Sequence, residues 1–201
     1  MPRLSAKMKV LVEETMRNDI IDASVAIIIA EGVEALTTDK LAEKLGIARG
    51  TLYNYFVNKD DIIRSLCERN FNAFLKAIDH IAGQTDAAEV KLRKIAEYMI
   101  EDFSAQRRLH TALMANPPPK HTADFRKKHQ LLLDKITAII KDGVTAGTMK
   151  ATHPKAMAII YFGALRELCF SHTVGLLPAP PRQLLKIFVA TVLQAMQKKV
   201  S

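Results

Sequence analysis

The sequence predicts an all-α protein of about nine helices arranged as two domains. Three observations support this fold class. Apolar residues recur at helical spacing through most of the chain, and no alternating, strand-like pattern competes with them. The hydrophobic fraction is 49%, and the 201 residues include only 8 Gly and 8 Pro. A chain of this length and composition can bury a substantial helical core.

A pair of short helices separated by a tight turn is the first distinctive element. Thr37 is a good N-cap residue, and Asp39 lies in the first turn of the helix that follows, where its charge complements the helix dipole. Gly46 can adopt a positive φ and end that helix. A second helix is predicted from Ala48 or Arg49 towards Tyr55. This order is the helix-turn-helix pattern, whose second helix enters the major groove of DNA.

A lone pattern of this kind also occurs in helices that merely pack together, so residues on either side of it matter. Residues 20–62 resemble the TetR family of transcriptional regulators. The resemblance is carried, at the family's spacing, by Ile20-Ile21-Asp22-Ala23, Glu31-Gly32, Thr37-Thr38, Leu41-Ala42, Gly46-Ile47, Gly50-Thr51-Leu52-Tyr53, Tyr55-Phe56, Lys59-Asp60 and Ile62. Beyond residue 65 the resemblance is one of length and helix count. It implies a helix-turn-helix repressor that binds double-stranded DNA at a palindromic operator.

The resemblance also implies which residues contact DNA. Phosphate contact is expected from the region of Thr38, and from Thr51, Tyr53, Tyr55 and Lys59. Arg49 and Asn54 are the candidates for base contact, because arginine pairs with guanine and asparagine with adenine in the major groove. Gly50 would let the helix approach the DNA backbone. Two positions depart from the family pattern: Ala48 replaces a common Ser or Thr cap, and Ile28 replaces a frequent aromatic residue.

The predicted domain boundary follows the motif. Residues 1–62 form the DNA-binding domain, residues 63–201 form an effector-binding and dimerisation domain, and a helix over 59–81 links them. Further helices are predicted over 86–104, 106–115, 120–142, 154–172 and 181–199. The strongest break is Asn116-Pro117-Pro118-Pro119, and a loop is predicted between Gly143 and Pro154.

The resemblance implies two functions for the second domain, which are small-molecule binding and dimerisation. Candidate effector-binding residues combine apolar bulk with a few polar groups, as ligand pockets do; they are Tyr98, Phe103, Arg107, Met114, Phe125, Leu132, Tyr161, Phe162, Leu165 and Arg166. Candidate dimer-interface residues lie on the last two helices; they are Met157, Ile160, Ala164, Leu168, Leu185, Phe188, Val192 and Met196. Core packing is the competing interpretation for the apolar members of both sets.

Charge is distributed unevenly along the chain. The net charge is +8, but residues 1–76 contain 11 basic and 11 acidic side chains, whereas residues 77–201 contain 18 and 10. Global charge therefore does not support DNA binding, and the motif must do so alone. Basic residues cluster over 107–110 and 120–129. A solvated helix surface is the simpler interpretation; if part of the cluster borders the pocket, the effector is anionic, such as a carboxylate or an acyl thioester.

Several function classes have no support in the sequence. No transmembrane segment or secretory apolar core is evident, so a cytoplasmic protein without membrane contact is expected. Cys67 and Cys169 are lone thiols, and the six histidines show no metal-ligand spacing. No cofactor, metal site or catalytic residue is predicted, and the protein is not expected to be an enzyme. The alternative to a regulator is a helical ligand-binding or protein-interaction module without specific DNA binding.

The predicted mechanism is that of a homodimeric repressor. The effector, hydrophobic or anionic, would bind the second domain and shift the helix over 59–81, so that the two recognition helices leave operator spacing. The opposite sign, activation, is left open by the sequence.

Overall fold

The computed structural model describes residues 6–115, 123–150 and 152–198. Its helices are α1 (Ala6–Glu31), α2 (Thr38–Leu45), α3 (Arg49–Tyr53), α4 (Lys59–Ala82), α5 (Ala88–Ala105), α6 (Arg107–Ala115), α7 (Ala123–Thr145), α8 (Pro154–Thr173), α9 (Pro181–Phe188) and α10 (Gln194–Met196). A 3₁₀ turn covers Val33–Ala35, and a π-helical turn over Val189–Leu193 joins α9 to α10. Within the described ranges, β pairing is limited to one bridge between Met149 and Gln197. The all-α prediction is confirmed.

The chain divides into two compact units. Unit 1 comprises residues 1–70 and 111–120, and unit 2 comprises residues 71–110 and 121–201, in each case as far as they are described. The division falls inside α4, between Asn70 and Phe71, rather than at the predicted boundary after Ile62. Helix α4 is continuous across it.

Unit 1 has its own core, formed by α1, α2, α3 and the first part of α4. Its central side chains are almost fully buried; they are Ile20, Ile28, Leu36, Leu41, Leu52, Phe56, Ile62 and Leu66. The hydroxyl of Ser24, also buried, donates to the Ile20 carbonyl at 2.7 Å, so this polar group is paired inside the helix. Ile28 stands where the family often has an aromatic residue. It is 1% exposed, so isoleucine takes part in the core at this position.

The ends of α2 match the sequence prediction. The Thr37 side chain accepts a hydrogen bond from the Lys40 amide at 3.2 Å, as an N-cap does. Gly46 has φ +65° and closes the helix in the left-handed conformation. An L-residue with a Cβ would be strained at that φ, so the glycine fixes the turn that leads into α3.

Unit 2 packs α5, α7, α8 and α9 around a core that includes Leu92, Ile136, Tyr161 and Leu165, each fully buried. Tyr161 donates its hydroxyl proton to the Leu92 carbonyl at 2.6 Å. The predicted Pro154 start of α8 is confirmed, with proline in the first turn.

Two predicted helix boundaries in unit 2 are wrong. Helix α7 continues to Thr145, so Gly143 lies inside the helix and only Gly147, with φ +75°, makes the turn. The last helix does not run unbroken to residue 199: it passes through the π turn and ends at Met196. There the chain pairs with the loop before α8, because the Lys150 amide donates to the Met196 carbonyl at 2.9 Å.

Candidate DNA-binding surface and effector region

Helix α3 has one buried side and one exposed side. Leu52 is fully buried and anchors the helix to the unit 1 core. Arg49, Gly50, Tyr53 and Asn54 are exposed, and Tyr53 retains 47% of its surface area. A large aromatic side chain left this accessible beside an arginine and an asparagine is typical of a binding surface rather than of a helix that only packs.

The recognition helix is shorter than predicted. It ends at Tyr53, Asn54 is its C-cap, and Tyr55 lies in the turn that follows. The Phe56 amide donates to the Leu52 carbonyl at 3.1 Å and draws the buried Phe56 ring back onto the core. Asn54 and Tyr55 therefore approach DNA, if they contact it, from the end of the helix.

The start of α3 has no side-chain cap. Ala48 occupies the N-cap position with extended backbone angles, φ −67° and ψ 142°, and offers no hydrogen-bond acceptor in its side chain. The Thr51 amide instead donates to the Ala48 carbonyl at 2.9 Å. This confirms the absence of a cap expected from the sequence.

Arg49 has Asp39 and Tyr53 as close neighbours. Its Nη1 atom lies 2.9 Å from Asp39 Oδ1, across the turn between α2 and α3. Hydrogen bonding to Tyr53, followed by the charge of Asp39, raises the pKa of the Arg49 guanidinium above its ordinary value. Hydrogen bonding to the Thr38 side chain, followed by that to Arg49, lowers the pKa of the Tyr53 hydroxyl. Two predicted DNA-binding residues, Arg49 and Tyr53, therefore lie beside each other, with the guanidinium carbon 6.0 Å from the centroid of the tyrosine ring.

Lys59 is positioned by the start of α4. Asn58 Oδ1 accepts a hydrogen bond from the Asp61 amide at 2.9 Å, and Asp61 Oδ2 accepts one from the Val57 amide at 3.1 Å. Asn58 is therefore a side-chain N-cap, and the arrangement differs from a capping box only in that Asp61 bonds to the amide one residue before the cap. Lys59 is the first residue of α4, and its Nζ atom lies 3.8 Å from Glu34 Oε2.

Arg17 is a structural residue of this surface that sequence reasoning missed. Its Nη1 atom donates to the Tyr55 carbonyl, and its guanidinium carbon lies 4.4 Å from the centroid of the Phe56 ring. Both contacts fix the turn after α3 from the side of α1. The sequence held no signal for this contact, because Arg17 lies 38 positions before Tyr55.

In unit 2, an aromatic cluster joins four helices. The ring centroid of Phe74 on α4 lies 6.0 Å from that of Tyr98 on α5 and 6.2 Å from that of Phe162 on α8. His129 on α7 lies 5.6 Å from Phe162. Phe74, Tyr98 and His129 are half-buried, and Phe162 is buried. Burial, followed by the charge of Asp102, raises the pKa of Tyr98. Tyr98 and Phe162 were candidate effector residues; Phe74 and His129 were not.

The other candidate effector residues are placed differently. Leu132, Tyr161 and Leu165 are fully buried in the unit 2 core, so packing accounts for them in this structure. The Phe103 ring stacks on His110 with a centroid separation of 4.0 Å. Polar members lie at the surface: Arg166 is exposed, and Arg107, also exposed, donates from Nε to the Thr173 carbonyl at 3.1 Å. The side chains of Met114 and Phe125 lie outside the described residues.

The comparisons with known proteins agree with this geometry. Residues 20–66 match the family model of bacterial regulatory proteins of the tetR family. These residues run from the core of α1, through α2 and α3, into α4. Over these residues the chain is similar to the TetR family. It is a DNA-binding transcriptional regulator and not an enzyme.

The similarity to one relative extends beyond the motif. The chain is 25% identical to a fatty acid metabolism regulator protein of Bacillus subtilis over 134 residues, which cover 65% of this chain and 69% of the relative. It is 31% identical to an HTH-type transcriptional regulator of Haemophilus influenzae over 70 residues, which cover 35% of this chain and 37% of that protein.

Solved structures share the fold over nearly the whole chain. A TetR transcription regulator from Haloarcula marismortui has a TM-score of 0.79 at 16% identity, covering 92% of this chain and 100% of the other. The regulator FadR from Bacillus subtilis, solved in complex with stearoyl-CoA, has a TM-score of 0.65 at 23% identity, covering 86% and 97%. At these identities the likeness establishes the fold.

The candidate dimer residues of this regulator fall into two groups. Ile160 on α8 is 59% exposed, and its neighbour Ile159 is 51% exposed, although only Ile160 was predicted. Met157, Ala164, Leu168, Leu185 and Val192 are half-buried. Phe188 and Met196 are only 1% exposed and belong to the unit 2 core, where the Phe188 ring lies 5.2 Å from that of Tyr161. Core packing therefore accounts for Phe188 and Met196 in this structure.

No helix in the described part of the chain has both the length and the apolar character needed to cross a membrane.

Proposed function

We propose that this regulator is a homodimeric repressor, which binds a palindromic operator through α3 and releases it when a long-chain acyl-CoA binds unit 2. The exposed face of α3 supports this proposal most directly. It combines Arg49, Tyr53 and Asn54 on the outside of a helix that buries Leu52. A bacterial regulator that binds its operator in this way acts in the cytoplasm.

Each residue of the α3 surface has a role in the proposal. Arg49 donates to a guanine edge, and Asn54 pairs with an adenine. Thr38, Thr51, Tyr53, Tyr55 and Lys59 contact phosphates and set the register of the helix on the duplex. Gly50 leaves room for the DNA, and a Cβ atom at that position would meet no protein atom within 4 Å.

Dimerisation follows from the geometry of operator recognition. Two recognition helices must reach successive major grooves, which are about 34 Å apart, to read a palindrome. The exposed isoleucines Ile159 and Ile160 give α8 an apolar outer face. Pairing of α8 and α9 with the same helices of a second copy would remove this face from water in a four-helix arrangement.

The effector class is supported by both chemistry and relatives. A solved relative is a complex with stearoyl-CoA, and the Bacillus subtilis relative is a fatty acid metabolism regulator. An acyl chain requires an apolar environment, to which the half-buried rings of Phe74 and Tyr98 can contribute. The phosphates of coenzyme A require cations, and Arg126 and Lys127 are exposed on α7, three and two residues before His129.

Helix α4 is the proposed coupling element. It begins at Lys59 in the DNA-binding unit and carries Phe74 of the aromatic cluster in its second half. A ligand that favours one position of Phe74 therefore acts on the helix that bears Lys59. If one state of the protein binds acyl-CoA more tightly and the other state binds DNA more tightly, each ligand weakens the binding of the other.

A DNA-binding assay tests the first half of the proposal. We expect the protein to retard a duplex from the region upstream of its own gene. Arg49→Ala should weaken this binding about tenfold or more, since a bidentate base contact contributes about 1–3 kcal/mol. Lys59→Ala should weaken binding to all sequences and reduce its salt dependence.

Lys76→Ala is the matched control for Lys59→Ala. Lys76 is exposed on the same helix but lies in unit 2. Its replacement should leave operator affinity unchanged. Equal losses for Lys59→Ala and Lys76→Ala would indicate a general charge effect and contradict the assigned contact. No retardation of any fragment at low salt would favour a helical module without DNA binding.

A ligand titration tests the second half. Stearoyl-CoA should release the upstream duplex, whereas coenzyme A and stearate, each added alone, should do so much less. Phe74→Ala should weaken stearoyl-CoA binding about tenfold, because it removes apolar surface worth about 1.5–3 kcal/mol when fully buried. Isothermal titration calorimetry measures the affinity, and fluorescence anisotropy measures the release. Absence of both heat and release would eliminate the acyl-CoA proposal and leave the DNA proposal standing.

A further inference from the structure

An ion pair connects the two helices of the DNA-binding motif. Asp39 lies in the first turn of α2, Arg49 is the first residue of α3, and their side-chain atoms are 2.9 Å apart. The side chains remain 69% and 55% exposed. A surface pair of this kind adds little to folding stability. Its place beside the exposed face of α3 suggests a role in DNA binding.

The pair restricts Arg49 before DNA arrives. Asp39 engages the Nη1 end of the guanidinium from one side. Tyr53, one helical turn after Arg49, has its ring centroid 6.0 Å from the guanidinium carbon. A guanidinium has five N–H donors in a planar fork, so other donors remain for a base. An arginine that is already oriented loses less conformational freedom on binding than one that is free.

The Asp39 carboxylate also opposes DNA binding at this surface. A negative charge facing DNA is repelled by every phosphate, whatever the base sequence. If Arg49 turned away to a phosphate, Asp39 would be left beside the DNA without its cation. If Arg49 instead donates to a base while keeping Asp39 as a partner, the charge stays compensated. The ion pair therefore disfavours a complex in which Arg49 contacts only phosphates more than a complex in which Arg49 contacts a base.

We propose that Asp39 determines sequence specificity, by positioning Arg49 for a guanine edge in the major groove and by disfavouring complexes in which Arg49 contacts only phosphates. This inference rests on the proposed function, since it requires the α3 face to enter DNA. Asp39 is a positioning residue here: it acts through Arg49.

The proposal predicts opposite changes in two affinities. Asp39→Asn removes the charge and keeps the shape of the side chain. Binding to DNA of unrelated sequence should become several times tighter, because one repulsive charge is gone. The ratio of specific to non-specific affinity should fall about tenfold, as expected when one base contact loses its orientation. If Asp39 served only the helix dipole of α2, thermal stability and both affinities would fall together.

The experiment uses two defined duplexes and the full-length chain. One duplex is the tightest sequence that the wild-type protein selects from a randomised pool, and the other is a shuffled version of it. Fluorescence anisotropy at one fixed salt concentration gives both affinities for wild type, Asp39→Asn and Asp39→Ala. Glu43→Gln is the matched control, because Glu43 is exposed on the same helix and its replacement changes the charge equally. It should leave the affinity ratio unchanged.

A double-mutant cycle separates this inference from the proposed function. In an Arg49→Ala background, Asp39→Asn should cause no further fall in the ratio. An unchanged ratio in Asp39→Asn, with a reduced ratio in Arg49→Ala, would overturn the role of Asp39 while keeping Arg49 as a base reader. An unchanged ratio in Arg49→Ala would contradict the base contact itself. A repeated selection with Asp39→Asn should then show weaker preference at the guanine that wild type selects.

Discussion

Gly143 shows how a single missing methyl group sets the approach of two helices. It lies inside α7, and a Cβ atom added there would come within 2.7 Å of Ala88 Cβ at the start of α5 and within 2.7 Å of Met149 Sδ. The methionine can move, but the Ala88 methyl is attached directly to the helix backbone. Glycine is therefore required for packing at this site, although its φ is not left-handed.

Gly143→Ala should lower the free energy of unfolding. Overpacking a tight contact costs about 1–3 kcal/mol, which exceeds the gain of up to about 1 kcal/mol in helix propensity. Urea denaturation followed by circular dichroism measures the change. Gly50→Ala is the control: its Cβ would meet nothing within 4 Å, so that variant should be slightly more stable than wild type. A stabilised Gly143→Ala variant would show that α5 and α7 can separate at no cost.

At the residue scale, the sequence predicts local features better than distant ones. Thr37 and Gly46 were assigned correctly as the ends of α2, because capping depends on residues within one turn. Arg17 could not be found, since its contact with the Tyr55 carbonyl depends on how α1 packs in three dimensions. The candidate effector residues stay a prediction: they combine apolar or aromatic side chains with a few polar ones, and that choice does not separate Tyr98, which is half-buried, from core residues such as Leu165.

Helix α3 is the element in which local stability and function are most closely linked. It has five residues, begins without a side-chain cap at Ala48, and buries only Leu52 as its anchor. Isolated helices of this length are unstable, so its conformation depends on the core of unit 1. A helix held in this way leaves most of its surface free for DNA.

Ala48→Ser should stabilise α3. Position 48 already has the extended backbone angles of an N-cap, and a serine oxygen there could accept a hydrogen bond from an amide of the first turn. The expected gain is about 1 kcal/mol in the free energy of unfolding, measured by urea denaturation. Ala48→Val, which adds bulk but no acceptor, should give no gain. Equal effects of serine and valine would indicate that the start of the helix does not limit stability.

The ends of elements were predicted less well than their existence. The start of α8 was correct, because proline in the first turn is a local signal. The end of the last helix was not, because the π turn over Val189–Leu193 and the bridge from Gln197 to Met149 depend on packing against the loop before α8. Helical periodicity alone carries no information about such a pairing. Phe188 and Met196, on either side of the π turn, are both buried in the unit 2 core.

At the scale of the whole molecule, the strongest remaining feature is the exposed apolar face of α8. Ile160 and Ile159 are more than half exposed in the single chain, whereas Ala158 and Tyr161 on the same helix are fully buried. Scattered apolar residues are normal on protein surfaces, but adjacent isoleucines on a long helix favour an interface. The sequence could indicate the amphipathic helix, but not which of its apolar residues face outward.

Ile160→Glu should convert the proposed dimer to a monomer. The substitution leaves the core intact, since residue 160 is 59% exposed, but it would place a carboxylate from each protomer in an apolar interface. Burying unpaired charges costs several kcal/mol, so the dimer dissociation constant should rise at least about a hundredfold. Sedimentation velocity measures the change. Operator affinity should fall in parallel, because a monomer contacts only one half-site.

Ala138→Glu provides the matched control for this prediction. Ala138 is exposed on α7, outside the proposed interface, and its replacement adds the same charge. It should leave both the sedimentation coefficient and the operator affinity unchanged. A dimer that persists in Ile160→Glu would exclude the α8 face as the interface. A monomer that still binds the operator with wild-type affinity would instead separate dimerisation from DNA recognition, and the requirement for two linked recognition helices would be wrong.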